Sequence, residues 1–387
     1  MLIGLSIAAW VITLFWAVVT LVALRKLPGV PDVLDAKYAA PFADPPLISV
    51  IVPARNEAAG IEAALRSLLA IEGVKLEIIA VDDRSTDATG AIMGRVATEG
   101  KQLTVLHIAE LPGGWLGKTH AMVAGAARAT APWLLFTDGD VLFSRDSLLR
   151  AMNFAESEGA DHAVLFPTLI LNGFGERMMI GFFQAVAGLL SRFWRIPLEG
   201  AKESVGVGAF NLIRADVYRA IGGFESLRME VLEDLRLGYE VKRRGYRQRV
   251  AYGRDLVRIR WVVGALGMVR NIAKNSFAAF RFRIWLTLAA CLAMAVFCLG
   301  PFAALAGNWW TRAAAAVVIL MLLLLYAYYR RYTGIAAWYA FTFPLAACLA
   351  LYAILRSMAL TLVRGGVVWR GTLYPLAELR KNSGPLR

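Results

Sequence analysis

Apolar residues collect at the two ends of the chain. Leu2 to Leu24 is an uncharged run of bilayer-spanning length, followed at once by Arg25 and Lys26. It lacks the basic leader and small-residue cleavage site of a signal peptide, so we expect an uncleaved anchor. Three more apolar runs come late in the chain: Ile284 to Gly307, Ala313 to Tyr329, and Ile335 to Leu355. The pattern therefore predicts transmembrane helices at both ends.

Between these runs, short β-branched segments alternate with segments of helical periodicity. The predicted strands are Leu47 to Pro53, Leu76 to Val81, Leu103 to Ile108 and Trp133 to Thr137. The predicted helices are Glu57 to Leu69, Thr86 to Ala97, Lys118 to Ala129 and Ser147 to Glu158. Such alternation is typical of an α/β domain with a mostly parallel sheet, right-handed crossovers and helices on both faces.

The segment from Val262 to Arg283 has the pattern of an amphipathic helix. Its apolar positions recur at steps of three and four, beside a basic stripe of Arg270, Lys274 and Arg281. A helix lying in the lipid headgroup region has this pattern, and so does a core-facing helix with a solvated edge. The apolar run that follows favours the membrane interface. We expect an anchor at residues 1–27, an α/β domain at 28–261, the amphipathic helix at 262–283, membrane helices at 284–363 and a basic tail at 364–387.

Composition supports a membrane protein. Hydrophobic residues make up 58% of the 387, and the mean hydropathy is +0.55. The net charge of +13 comes largely from Lys and Arg residues that flank the apolar runs, which favours a membrane surface over nucleic acid as the partner. All three cysteines lie in the late apolar runs, so neither a disulfide framework nor a zinc site is indicated.

Acidic residues follow three of the predicted strands. Asn56-Glu57 comes after the first, Asp82-Asp83 after the second, and Asp138-Gly139-Asp140 after the fourth. The carboxyl ends of parallel strands share one edge of a sheet, where ligands of such folds bind. Two carboxylates one residue apart suit a hard divalent cation, although paired acids also occur as turn formers.

Five motifs in this order resemble those of the family 2 glycosyltransferases. They are Pro53-Ala54-Arg55-Asn56-Glu57, Val81-Asp82-Asp83-Arg84-Ser85-Thr86-Asp87, Gly117-Lys118, Asp138-Gly139-Asp140 and Glu233-Asp234. The resemblance covers roughly residues 47 to 250 and implies a GT-A-type fold. It also implies that a nucleoside diphosphate sugar, usually UDP-linked, donates its sugar with inversion at the anomeric carbon.

The resemblance assigns roles to these residues. Asp83 would accept from the uracil N3–H with Asp82 beside it, Asp138 would contact the ribose, and Asp140 would hold Mg²⁺ or Mn²⁺. Residues expected to bind the rest of the nucleotide are Pro53, Ala54, Arg55, Glu57 and Lys118. Ordinary explanations also exist for two of these motifs: a charged turn around Asp83, and a solvated helix start at Lys118.

The acceptor side rests on a second group of residues. Glu233-Asp234 precedes a helix that closes in Gly245-Tyr246, as in the family, which makes Asp234 the general base. The alternative is a pair of first-turn acids that complement a helix dipole. Glu233, Arg260 and Trp261 are expected on the acceptor side. Gly206 to Arg214 and Gly222-Gly223-Phe224 resemble the family's acceptor-side strand and glycine turn.

One departure from the family bears on the product. Processive members usually carry Gln or Arg three residues before an Arg-Trp pair, and Val257 stands there in this chain. The segment from Arg364 to Tyr374 resembles the ending of membrane-bound members that modify hopanoids, carotenoids and ceramide. We therefore expect transfer of one sugar to a lipid. A short polysaccharide synthase and a non-catalytic nucleotide-binding scaffold are the alternatives.

Charge around the first span predicts sidedness. Arg25 and Lys26 follow that span, which places the α/β domain in the cytoplasm of a multi-pass membrane protein, such as one of the bacterial inner membrane. Three further spans would put the basic tail outside, against the same charge rule. Either a late segment fails to cross, with a bend at Pro301 or Pro344, or the tail departs from the rule.

Overall fold

The computed structural model describes residues 2–369 and 372–382. The helices are α1 (Leu2–Lys26), α2 (Ile61–Leu69), α3 (Thr89–Ala97), α4 (Gly117–Ala126), α5 (Ser147–Ser157), α6 (Phe174–Ser191), α7 (Ala215–Ala220), α8 (Glu233–Arg243), α9 (Gly264–Ala279), α10 (Ile284–Met294), α11 (Gly300–Ala303), α12 (Trp309–Thr333), α13 (Phe343–Arg364) and α14 (Leu376–Asn382). The strands are β1 (Leu47–Ala54), β2 (Lys75–Asp83), β3 (Leu103–Ile108), β4 (Trp133–Phe136), β5 (Val141–Phe143), β6 (His162–Phe166), β7 (Thr168–Leu169), β8 (Asn211–Arg214), β9 (Gln248–Tyr252), β10 (Val257–Ile259), β11 (Gly366–Trp369) and β12 (Thr372–Pro375).

The chain divides into two compact units, each described here by itself. The sheet unit contains Val30–Ile170 and Phe193–Arg260, and the helical unit contains Met1–Gly29, Leu171–Arg192 and Trp261–Arg380. The sheet unit holds a seven-stranded sheet in the order β3-β2-β1-β4-β8-β6-β9. Only β8 runs antiparallel to its neighbours β4 and β6. A small sheet, β5-β10-β7, lies in the same unit. The predicted α/β class with a mostly parallel sheet is confirmed.

The central strand β1 shows why these residues form a buried strand. All but its first residue are buried, because helices cover both faces of a parallel sheet. Ile48, Val50 and Val52 join one hydrophobic cluster, and Ile51 joins another. Successive side chains of a strand point to opposite faces, so a continuous apolar run supplies both cores.

The four predicted strands are present, with ends within two residues of the prediction. The first two helices begin later than predicted, at Ile61 and Thr89. The turn before each helix is held by side chains: Asn56 Oδ1 accepts from the Thr86 N–H at 2.8 Å, and Asp87 Oδ1 accepts from the Thr89 N–H at 3.0 Å. Polar residues after a strand hydrogen-bond the backbone in competition with a helix, which delays the helix start.

Four helical segments of the helical unit are long and apolar enough to cross a membrane. They are Ile3–Gly29, Ile284–Ala306, Trp309–Thr333 and Ala337–Arg364. The prediction of apolar helices at both ends is confirmed. The second segment contains a π-helical turn at Ala295–Leu299, directly before the Gly300-Pro301 pair. Proline removes a backbone donor, and an irregular turn at that place absorbs the loss.

Helices α6 and α9 pack with α13 inside the helical unit. Met268, Val269 and Phe277 of α9 are buried, and the Phe277 N–H donates to Ser357 Oγ of α13 at 3.1 Å. Leu266 is 68% exposed, so only part of the predicted apolar stripe packs against protein. The Lys274 side chain and residues Arg370 and Gly371 of the tail motif lie outside the described parts, and β11 pairs with β12 on either side of that gap.

Candidate active site

The site forms where the order of the sheet reverses. The chain passes from β1 to β2 and β3 on one side, and then returns to place β4 on the other side of β1. Ligands of doubly wound folds bind outside the carboxyl ends of the strands at this reversal. The loop after β1 and the loop after β4 lie against each other there. A Cβ added to Gly60 would lie 3.4 Å from Asp140 Cβ, and one added to Gly139 would lie 3.2 Å from Ala54 Cβ. The segments containing Pro53 to Glu57 and Asp138 to Asp140 are therefore neighbours.

The end of β2 presents two carboxylates with different partners. Asp83 is buried, and the Arg84 guanidinium donates to both of its oxygens, from Nε at 2.7 Å and from Nη2 at 3.0 Å. Asp82 accepts from the Ser85 N–H at 3.2 Å and lies 3.1 Å from His107 Nδ1. Arg84 holds this geometry with a φ of +55°, which is strained for a residue with a long side chain. The sequence assigned the base-binding role to Asp83 but did not single out Arg84.

Lys118 joins two motifs that lie far apart in sequence, Asp138-Gly139-Asp140 and Glu233-Asp234. Its ammonium lies 2.7 Å from Asp138 Oδ1 and 2.8 Å from Glu233 Oε1. Burial acts to lower the pKa of Lys118, but the carboxylates of Asp138, Glu233 and Asp234 outweigh it and raise that pKa above its usual value. The lysine is therefore a fixed positive charge that links the end of β4 to the start of α8.

Asp140 lies on the other side of the Asp-Gly-Asp turn. Burial raises the pKa of Asp140 to about 6, and the negative charges of Asp138 and Glu57 add to the effect. The charges of Asp138 and Glu57 thus act on Asp140 at the end of β1 and β4, and the Lys118 ammonium opposes them from beside Asp138. A divalent cation relieves repulsion between carboxylates of this kind.

The residues at this place fit a cation that is shared with a substrate. No group of three or more His, Cys, Asp or Glu side chains within residues 2–369 and 372–382 is arranged to hold a metal by protein ligands alone. Mg²⁺ usually takes only one or two carboxylates, with substrate phosphates and waters completing its shell. Asp140, with Asp138 beside it, supplies oxygen ligands of that kind.

Asp234 sits in the first turn of α8, where a glycine loop fixes its orientation. Its Oδ2 accepts from the Gly208 N–H at 2.9 Å, and its Oδ1 accepts from the Leu235 N–H at 2.7 Å. Burial and the neighbouring Glu233 raise the pKa of Asp234 to about 7, while Lys118 acts in the opposite sense. A carboxylate with a pKa near neutrality can take up a proton during turnover and release it again.

A buried polar network holds the loop that carries Gly208. Gln248 pairs with the backbone of Val205 through both its amide atoms, at 3.1 and 2.8 Å, and its amide nitrogen lies 2.8 Å from His162 Nδ1. Asn211 Nδ2 donates to the Val207 carbonyl at 2.7 Å. Burial lowers the pKa of His162 to about 4, so its ring is neutral and accepts from Gln248. Sequence reasoning missed this network, because nothing in the spacing relates these residues.

The remaining predicted residues take different places. Glu233 is buried and belongs to the Lys118 cluster, whereas Arg260 follows β10 and is exposed. Trp261 belongs to the helical unit, is 37% exposed and packs against Phe183 with ring centroids 5.3 Å apart. Pro53 and Ala54 end β1 as buried residues, and Arg55 and Glu57 lie in the turn that follows. The structure thus brings Lys118, Asp138, Glu233 and Asp234 together around one ammonium group.

Comparison with known proteins gives a family match and several relatives. Residues 49–222 match the family model for glycosyl transferase family 2. The succinoglycan biosynthesis protein ExoO of Rhizobium meliloti (strain 1021) is 35% identical over 119 residues, which is 31% of this chain and 32% of that protein. A 4,4'-diaponeurosporenoate glycosyltransferase of Staphylococcus haemolyticus (strain JCSC1435) is 32% identical over 105 residues, which is 27% of each chain. Each match therefore spans about a third of the relative or less.

A solved structure extends the likeness of fold to most of the chain. The mannosyltransferase PcManGT from Pyrobaculum calidifontis, solved with GDP-Man and Mn²⁺, superposes with a TM-score of 0.56 at 20% identity. The superposition covers 90% of this chain and 99% of that one. At this identity, the likeness establishes the fold alone. The reversal of strand order, the acidic loops at the sheet edge and the matched family model lead to one conclusion: this chain carries a glycosyl transferase family 2 domain with a GT-A-like fold.

Proposed function

We propose that the protein is an inverting, metal-dependent glycosyltransferase that moves a single sugar from a UDP-sugar to a lipid acceptor at the cytoplasmic face of a membrane. The contact of Lys118 with both Asp138 and Glu233 carries this proposal. It joins the loop assigned to the donor to the helix assigned to the acceptor. A single displacement needs the two substrates held in line at such a junction.

The donor side would be divided among the loops at the end of β1, β2 and β4. Asp83, already oriented by Arg84, would accept from the uracil N3–H, and Asp138 would contact the ribose. The turn from Pro53 to Glu57 would enclose the base and sugar. Asp140 would hold Mg²⁺ or Mn²⁺, which supplies charge neutralisation to the diphosphate when bound. The family model and the neighbour that contains Mn²⁺ support a metal of this kind.

The acceptor side would centre on Asp234. Its carboxylate takes the proton from an acceptor hydroxyl while the hydroxyl oxygen forms a bond to the anomeric carbon. The bond from that carbon to the diphosphate breaks, and its electron pair leaves with the diphosphate. Because attack comes from the face opposite the leaving group, the configuration inverts. The two backbone donors on Asp234 fix the direction in which its carboxylate points.

A lipid acceptor is supported by the four apolar helices and by one relative. Enzymes that act on lipids meet their acceptor at the membrane, and this chain has four helices of spanning length. One relative is named a 4,4'-diaponeurosporenoate glycosyltransferase, so its acceptor is that compound and not a polysaccharide. UDP is proposed from the family, and GDP is the competing nucleotide because the solved neighbour holds GDP-Man.

The test is release of nucleoside diphosphate by the full chain in detergent, with a panel of UDP- and GDP-sugars and extracted lipids. Asp140→Ala and Asp234→Asn should each lower turnover at least about a hundredfold, since each removes a group that acts on the reacting atoms. Asp44→Asn is the matched control, because its carboxylate is 90% exposed and pairs only with Lys75 in the described structure. Turnover unchanged in both site variants would contradict the mechanism.

A short polysaccharide synthase is the second candidate, favoured by the relative named for succinoglycan biosynthesis. Val257 stands where processive members carry Gln or Arg, which argues for a single transfer. Mass spectrometry of the product decides between them: one added sugar supports the first proposal, and a ladder of sugars supports the second. A non-catalytic scaffold would bind the nucleotide without turnover.

A further inference from the structure

The helical unit carries very few acids. Glu176 and Glu378 are the only acidic residues in its segments, which contain many Lys and Arg residues. Glu176 is buried, and its carboxylate accepts from the N–H groups of Asn172 at 2.6 Å and Gly264 at 2.8 Å. Positive charge in this unit is therefore far from balanced, and its position decides what it can bind.

Helices α1 and α12 lie side by side and run in the same direction. Asn308 Nδ2 donates to Ser6 Oγ at 3.2 Å, and Thr13 Oγ1 donates to the Ala314 carbonyl at 3.0 Å. A step of about two turns along α1 thus matches a step of about two turns along α12. The carboxyl ends of both helices lie at the same end of the helical unit.

The second apolar segment runs in the opposite direction to α1. Trp16 Nε1 donates to the Phe297 carbonyl at 2.8 Å, and a Cβ added to Gly300 would lie 3.7 Å from Ile12 Cδ1. A step forward along this segment is therefore a step backward along α1. The segment begins with α10 at Ile284, so its start lies at the end where α1 finishes.

The carboxyl tail returns to this same end. Arg380 Nη2 donates to the Phe282 carbonyl at 3.0 Å, just before α10 begins. The Leu376 N–H donates to the Gly365 carbonyl at 2.8 Å, which ties α14 to the end of α13. The last residues of α13 and the tail therefore lie beside the start of α10.

Helix α13 begins deep in the helical unit and ends at its surface. The ring of Phe343, its first residue, lies 5.8 Å from the Trp16 ring and 6.2 Å from the Phe302 ring, between centroids. Both partners lie well inside apolar segments. Further along α13, Ser357 Oγ accepts from the Phe277 N–H of α9. Helix α13 thus runs from the apolar interior toward the end that holds the tail.

The chain reaches that depth from the end of α12 through a short irregular segment. Thr333 ends α12, and Ile335, Tyr339 and Ala340 are buried in the residues that follow. Irregular backbone at membrane depth is tolerated where protein buries it. Pro344 lies in the first turn of α13, where the chain turns back. Both ends of the fourth apolar segment therefore lie at one end of the helical unit.

Six exposed basic residues lie at this end, and we call them the basic collar. They are Arg25, Lys26, Arg283, Arg330, Arg364 and Arg380. At the opposite end, Trp309 and Trp310 are 66% and 56% exposed, and Arg312 is the single basic residue between Gly300 and Tyr326. Tryptophans are typical of a membrane interface, and an excess of Lys and Arg is typical of its cytoplasmic side.

We propose that the segment from Ile335 to Arg364 enters and leaves the membrane on one face, so that the tail completes the basic collar, and that this collar binds the headgroups of anionic lipids. Three crossings and one re-entrant segment obey the charge rule that four crossings would break. Exposed guanidinium groups beside a bilayer attract anionic lipid and pair with the phosphate oxygens of its headgroup. The inference concerns contact with the membrane and does not depend on sugar transfer.

Cysteine labelling in sealed vesicles tests the position of the tail. Single cysteines are introduced as Ala377→Cys in the tail, Gly29→Cys after α1 and Ala306→Cys at the opposite end. The three natural cysteines lie in apolar segments, and the wild type gives the blank. A membrane-impermeant maleimide should label Ala377→Cys and Gly29→Cys in vesicles of one orientation, and Ala306→Cys in vesicles of the other. Labelling of Ala377→Cys together with Ala306→Cys would overturn the re-entrant segment.

Retention of lipid by the full chain tests the collar. The protein is mixed in neutral detergent with equal amounts of phosphatidylglycerol and phosphatidylcholine, and native mass spectrometry measures what stays bound. Phosphatidylglycerol should be retained at least about fivefold over phosphatidylcholine. The double variant Arg364→Gln, Arg380→Gln should lower that ratio at least about threefold, because it removes two charges of the collar.

Arg312→Gln is the matched control, because it removes an exposed arginine at the opposite end of the same unit and should keep the wild-type ratio. A second double variant, Arg25→Gln with Lys26→Gln, guards against misfolding of the first and should also lower the ratio. Equal retention of the two lipids by the wild type would overturn the collar. An undiminished ratio in both double variants, or an equal loss in Arg312→Gln, would overturn it as well.

Discussion

At the scale of single residues, Lys118 is the residue whose loss should change the site most. It is one cation between two carboxylates, at 2.7 and 2.8 Å, with Asp234 close enough to add to its field. Removing it leaves several negative charges around a partly buried position. Its loss should therefore affect both stability and turnover.

Lys118→Met should lower the free energy of unfolding by about 1 to 3 kcal/mol, below the 3–5 kcal/mol typical of a fully buried pair because the lysine keeps some exposure. Turnover should fall at least about a hundredfold. Lys75→Met is the control, since the Lys75–Asp44 pair is exposed and should contribute less than about 0.5 kcal/mol. Thermal unfolding and diphosphate release measure the two effects. A Lys118 variant as stable and active as the control would show that Lys118 is not needed to neutralise the surrounding carboxylates.

Asp234 predicts a pH dependence. As the proposed general base, Asp234 must be ionised to accept a proton, so turnover should rise with pH and level off above the Asp234 pKa of about 7. Glu233 raises that pKa by repulsion, so Glu233→Gln should move the rising limb to lower pH. The measurement is kcat/KM against pH for both proteins, with Glu225→Gln as a control for loss of an exposed acid. If the rising limb of the pH profile stays at the same pH in Glu233→Gln, a group other than Asp234 determines it.

At the scale of elements, the loop from Val205 to Gly208 connects three strands to Asp234, the proposed general base. Asn211 and Gln248, with His162 behind them, fix the backbone of this loop by hydrogen bonds. The Gly208 N–H of the loop then donates to the Asp234 carboxylate. Gly206 lets the loop approach α8, because a Cβ there would collide with the Asp234 carbonyl. The loop therefore packs directly against the first turn of α8 and fixes its position.

Gly206→Ala should lower turnover at least tenfold and destabilise the fold by about 1 to 3 kcal/mol, since neither backbone can yield without displacing Asp234. Gly113→Ala is the matched control, because a Cβ at Gly113 meets nothing within 4 Å. Unfolding temperature and turnover of the two variants should be compared. Equal behaviour would mean that the close approach has no role.

At the scale of the whole molecule, the orientation in the membrane can be tested directly. We expect the sheet unit on the cytoplasmic side, since Arg25 and Lys26 follow the first span. Trypsin should cut at exposed sites such as Lys101 in inverted vesicles and should spare them in sealed right-side-out vesicles. A tag at the carboxyl end, probed in the same vesicles, decides between three and four crossings. Cleavage in right-side-out vesicles and not in inverted ones would show that the sheet unit lies on the opposite side of the membrane.

The sequence was sufficient for the first half of the sheet. Strands β1 to β4 alternate regularly with helices, so the acids that follow them could be assigned to one edge before the structure was known. The second half could not be predicted in this way. His162 and Gln248 meet across 86 residues, and β8 lies between β4 and β6, although it follows both in sequence. Contacts of that kind depend on strand order, which local periodicity does not encode.

The position of α6 in the chain has a consequence for biosynthesis. This helix is made between β7 and β8. Of the helices it packs against, α1 is synthesised earlier, but α9, α12 and α13 are synthesised later. The sheet likewise needs β8 and β9 before its order is complete. A nascent chain that has just produced α6 therefore holds an apolar helix without most of its partners and a sheet without its last strands. During translation, both units stay open until the ribosome has passed their late elements, and α6 is an apolar segment that a chaperone or the membrane insertion machinery must shield until then.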